Sequence, residues 1–110
     1  MELKYTYGSI SRLSKFIKKR YEVKMLPSMI ECMFEDTDVL TEFVREGAEL
    51  KTKEEAECFI DKAMQEGKDI KEIQESVLEG FINANFYKIE LQMLLNQMRE
   101  PVEKQMSEKM

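Results

Sequence analysis

The sequence predicts a mainly α-helical fold, and three observations carry that prediction. The first is a seam of residues at alternating steps of three and four: Ile70, Ile73, Val77, Gly80, Ala84, Tyr87, Leu91, Leu94 and Met98. Such a 3.5-residue repeat marks one face of a long helix. The second is a pair of capping boxes, Thr52-Lys-Glu-Glu55 and Asp69-Ile-Lys-Glu72, each placed ahead of an apolar run. The third is that shorter runs repeat at helical spacing, as in Val39/Leu40/Phe43/Val44 and Ala56/Phe59/Ile60/Ala63. Together they predict a small domain of about five helices over residues 1–100. A polar tail, residues 101–110, is expected to fray beyond Pro101, whose ring opposes helix continuation.

Residues 2–7 read differently. Leu3, Tyr5 and Tyr7 alternate with Glu2, Lys4 and Thr6, and period two predicts a short N-terminal β-strand. A lone strand needs a neighbour, and residues 23–26 (Val-Lys-Met-Leu) are the nearby candidate for a two-stranded pair. Gly8 is expected to form the strand-to-helix corner, and Ser9 or Ser11 to cap a helix burying Ile10, Leu13, Phe16 and Ile17. Pro27 introduces a short helix bearing Met29, Ile30, Met33 and Phe34. Asp36 or Thr37 caps the next, which Gly47 should close.

A straight helix from Asp69 to Met98 would span roughly 45 Å at the usual rise, longer than the roughly 35 Å width of a domain this size. It therefore either breaks, at Asn83–Asn85, or projects apolar surface for a partner to cover. A second row, Leu78, Ile82, Phe86, Ile89 and Met93, widens that surface.

Chemistry is sparse. The chain has no histidine, which removes the commonest general base and the commonest zinc ligand. Phosphate-cradling glycine loops, nucleophile elbows and HExxH are absent from the sequence. Acidic pairs such as Glu54/Glu55 sit where helix N-termini favour them. The expectation is a non-enzyme without cofactor or metal. Cys32 and Cys58 lie among apolar residues and are expected to be buried thiols of a cytoplasmic protein. No run is long and apolar enough for a signal peptide or a membrane span, so a membrane partner is not expected.

The formal charge of −5 divides unevenly, with +5 on residues 1–27 and −10 on residues 28–110. A basic head on an acidic body favours head-to-tail homo-oligomers. On a helix, Lys15, Lys18 and Lys19 fall opposite Leu13/Phe16/Ile17, as a solvated face would, which disfavours nucleic acid. Nine methionines are many for 110 residues, and flexible thioethers suit surfaces that repack against a helical partner. Candidate protein-binding residues are Met29, Met33 and Phe34 on the short helix, and Leu91, Leu94 and Met98 on the last one.

The layout of an alternating N-terminal segment running into Tyr7-Gly8-Ser9-Ile10-Ser11-Arg12-Leu13 resembles the opening of tail assembly chaperones of long-tailed bacteriophages. The downstream order is similar too: an Asp36-Thr-Asp-Val-Leu40 helix start, an end near Gly47, the Thr52 entry, and the Asp69 helix finishing near Phe86. The likeness covers about the first three-quarters of the chain and lies in layout and hydrophobic pattern. It implies a non-enzymatic protein that coats the helical, aggregation-prone tape-measure protein and keeps it soluble, often as a self-associated ring or spiral. The alternative reading, from the acidic body, is a small phage-encoded inhibitor or regulator of a host protein.

Overall fold

The first six residues enter the core before any helix begins. In the computed structural model, which describes residues 1–21 and 28–99 (backbone only for Ser28 and Met29), Leu3 and Tyr5 are buried while Glu2, Lys4 and Thr6 face solvent. The predicted alternation is therefore present, but the predicted β-strand is not. No strand occurs among the described residues, and the proposed pairing segment, residues 23–26, lies outside them. A period of two needs only two unlike sides, and here the inner side is a slot between helices. Lys4 N–H donates to the Gly47 carbonyl at 2.9 Å, and the Tyr5 hydroxyl donates to the Phe43 carbonyl at 2.7 Å.

Thr6, rather than Ser9 or Ser11, caps α1 (Tyr7–Arg20). Its hydroxyl accepts the Ser9 N–H, while Ser9 Oγ accepts the Thr6 N–H, a reciprocal capping box. Gly8 is consequently the second residue of the helix and not a corner. The helix buries Ile10, Leu13 and Ile17 and turns Lys15, Lys18 and Lys19 outward. A short helix α2 (Ser28–Glu31) passes into a 3-10 turn (Cys32–Phe34), followed by α3 (Thr37–Gly47), α4 (Lys53–Gln65), α5 (Ile70–Asn83) and α6 (Lys88–Arg99). The predicted mainly α class is thus met, among the described residues, by five helices of three turns or more, plus this short turn. The tail at 101–110 lies outside the described residues. Cys32 is half-buried and Cys58 exposed on α4, so the predicted burial of both thiols does not hold.

Three helices end alike, and in none is the ending the one assigned to Gly47. In α3 the left-handed residue is Glu49 (φ 58°), with Glu49 N–H bonded to Glu46 O and Leu50 N–H to Arg45 O. That is the Schellman pattern, which satisfies the last carbonyls. Gly67 (φ 101°) plays the same part after α4, and Asn85 (φ 59°) after α5. Glutamate has no side-chain reason to favour this conformation. Glu49→Gly is expected to stabilise the fold by about 0.5–1 kcal/mol, read as a higher midpoint in urea at unchanged slope.

Gly47 and Gly80 serve the core instead. A Cβ on Gly47 would lie 2.7 Å from the Tyr5 ring, and one on Gly80 2.6 Å from it and 2.8 Å from the Leu3 carbonyl. Tyr5 stacks flat on Phe81 at 4.1 Å between centroids, and Phe81 meets Phe43 edge-on at 5.7 Å. Burial, with Glu46 nearby, pushes the Tyr5 phenol far above its ordinary range.

Asp36 ties the end of α1 to the start of α3. It caps α3 through the Asp38 N–H, accepts the Tyr21 hydroxyl, and pairs with Arg20 at 2.7 Å. The Tyr21 and Arg20 hydrogen bonds hold its carboxyl down at about 2. The folded carboxyl thus titrates below its unfolded counterpart. Its contribution is complete above about pH 4 and fades as pH falls towards about 2. Asp36→Asn keeps a competent cap but removes the charge. Melting temperatures across that acid range, followed by circular dichroism, are expected to fall less steeply for Asp36→Asn than for the parent.

Candidate partner-binding face

The sequence seam does break, at Ala84–Tyr87, and α6 folds back along α5. Asn85 and Tyr87 both take positive φ, which reverses the chain within four residues. Phe86 plugs the corner, tilted against Phe81 at 6.1 Å and edge-on to Tyr87 at 5.1 Å. Arg99 at the far end of α6 pairs with Glu79 and reaches Glu75, both on α5. The fold-back turns the seam inward: Leu91 is fully buried and Leu94 and Met98 are partly so, with Leu95 beside them nearly fully buried. Most of the apolar surface expected to be left over is enclosed within this one chain.

The sequence-named residues accordingly divide. Met33 and Leu91 are core side chains, while Phe34, Leu94 and Met98 are partly buried against the same core. The Met29 side chain lies outside the described residues. These positions do not form one surface. The outward face of α6 belongs instead to Ile89 (73% exposed) and Met93 (59% exposed), one helical turn apart. Both belong to the second apolar row of the sequence, whose earlier members Leu78 and Ile82 are buried. A continuous helix would have kept all four on one side. The break at Ala84–Tyr87 rotates the second half of the row out to solvent.

Beside Met93 runs a shallow groove of about 260 Å³ lined by Glu31, Glu90, Met93, Leu94 and Gln97. It joins α2 to α6. The other large exposed apolar side chains, Tyr7, Tyr21, Met64 and Ile70, fall on α1, its C-cap, α4 and α5. Single exposed residues of that kind are ordinary on a soluble surface, whereas two on successive turns beside a groove form a ridge.

A larger polar depression of about 380 Å³ lies at the start of α1, with Arg12, Arg45 and Glu46 among its lining. Glu46 is buried and accepts both Arg12 Nε and Arg12 Nη2 at 2.9 Å, and Arg45 at 3.0 Å. A buried carboxylate with two guanidinium partners is a satisfied structural group that ties α1 to α3. No group of three or more histidine, cysteine, aspartate or glutamate side chains among the described residues is arranged to hold a metal ion. None of the described helices is long and apolar enough to cross a membrane.

No family model, curated protein or solved structure matches the chain.

Proposed function

We propose that this chain is a non-enzymatic binding module of the tail-assembly-chaperone kind, which docks an amphipathic segment of a helical, tape-measure-like protein and holds it soluble. One observation carries the reading: the Ile89–Met93 ridge on α6, exposed beside the Leu94 groove on a core that is otherwise well covered. Amphipathic helices bind by laying apolar side chains, spaced three and four apart, into such grooves. The helix order from Asp36 onward also supports the resemblance, whereas its opening strand is absent among the described residues. The ridge is apolar, which favours this reading over an acidic inhibitor that would act through charge.

Coexpression tests it. With this chain present, a tape-measure-like protein from the same genome is expected in the soluble fraction, bound to the chain. Insolubility of that protein regardless of the chain, with no complex on size exclusion, would remove the proposal.

A further inference from the structure

We infer that the segment docking on α6 is a helix whose apolar stripe is flanked by lysine or arginine. The inference rests on the reading above and specifies the chemistry of its partner. The groove beside Met93 is walled by two carboxylates, Glu31 from α2 and Glu90 from the first turn of α6. Neither takes part in any ion pair among the described residues. Ion pairs engage Asp36, Asp38, Glu42, Glu46, Glu75 and Glu79, whereas Glu35, Asp61 and Glu66 among others have none among the described residues; what sets Glu31 and Glu90 apart is their place on the wall of an apolar groove. The two cations of α6 itself stand at its ends: Arg99 is committed to α5, and Lys88 is exposed at the first residue.

Two carboxylates without an ion pair among the described residues, beside an apolar groove, set a rule for what can lie there. A stripe of leucine or methionine covers Met93 and Leu94, and a cation on either flank meets Glu31 and Glu90. An acidic flank meets like charge as the groove is desolvated. Opposite-charge pairs at a rim contribute modestly and like-charge contacts oppose binding, so the pattern acts mainly on which helix is chosen.

The probe is a designed 20-residue helical peptide with leucines at i, i+4, i+7 and i+11 and lysines flanking them. Its control carries glutamates at the flanks. Fluorescence anisotropy against the full chain at low ionic strength is expected to show about 10-fold tighter binding of the lysine peptide, with the preference narrowing as salt rises. Glu31→Lys with Glu90→Lys is expected to reverse the order. Equal affinities for the two peptides, both lost in Ile89→Glu, would overturn the inference while leaving the docking face intact. A preference untouched by the charge reversal overturns it as well. Concentration-dependent self-association abolished by Met93→Glu would assign the face to a second copy. Peptide binding that emerges only after Lys104→Glu with Lys109→Glu would assign it to the chain's own last residues. Either result overturns the inference too.

Discussion

Replacing Ile89 and Met93 together by glutamate is expected to abolish docking of a helical partner while leaving the fold intact. Each side chain is largely exposed in the isolated chain and would be covered on binding. Fully burying an aliphatic side chain is worth about 1.5–3 kcal/mol. Losing two such contributions weakens affinity by roughly 100- to 1,000-fold or more, before the cost of burying charge is added. Surface substitutions with no buried contact change stability by only about 0.5 kcal/mol. Titration of the variant against labelled partner, with a thermal melt beside it, separates the two quantities. Leu91→Ala makes the contrast, because that side chain is in the core and its truncation is expected to cost about 2–5 kcal/mol of stability. A variant with glutamate at 89 and 93 that still solubilises its partner would leave α6 without a role in binding.

The second large effect is expected in the amino-terminal slot. Tyr5→Ala removes a ring that stacks on Phe81 and fills the space over Gly47 and Gly80, and it leaves the Phe43 carbonyl without its side-chain donor. Truncations of buried aromatic residues cost about 3–5 kcal/mol. Gly80→Ala is expected to be destabilising by about 1–3 kcal/mol, although alanine is the better helix former. The new methyl would meet a ring stacked on Phe81 and tied to the Phe43 carbonyl, and a backbone carbonyl besides, so neither neighbour yields cheaply. The two changes should couple. In the Tyr5→Ala background the ring is gone, so the added cost of Gly80→Ala is expected to fall, leaving the part owed to the Leu3 carbonyl. A double-mutant cycle in urea measures this directly. Simple additivity would show that Tyr5 does not set the need for glycine at position 80.

Much of the helical pattern was legible because local signals and burial agreed. Asp36, Thr52 and Asp69 cap the helices their side chains predicted, and the Asp69/Glu72 box forms in both directions. The length of the seam against the width of a domain left two outcomes, a break at Asn83–Asn85 or a projecting apolar face, and the break is the one that occurs. Less legible was everything that depends on what lies opposite. Leu3 and Tyr5 alternate as in a strand, yet their neighbours are helices, and a sequence pattern records sidedness without naming the other side. Gly47 stands at a helix end, where a cap is the usual explanation. Only the position of Tyr5 shows that the missing Cβ matters more than backbone freedom.

The exposed side of α6 was hard to place for the same reason. Leu91 continues the seam, yet the reversal at Ala84–Tyr87 turns it into the core, while Leu94 keeps an edge on the groove beside Met93. The signal that could have located Ile89 and Met93 was in the second row. Once a break is assumed, one of the two rows must face outward beyond it. Choosing which requires the direction in which the chain returns, and that depends on the left-handed residues Asn85 and Tyr87.

The slot around Tyr5 has a consequence for the order of events during synthesis. Residues 1–6 are synthesised before the walls of their site, which come from Phe43, Gly47, Gly80 and Phe81. Until α5 has emerged, the nascent chain carries Leu3 and Tyr5 with nowhere to put them. Closure across so long a stretch of chain comes late and slows the final step. Residues 1–6 are thus among the last of the described residues to find their place.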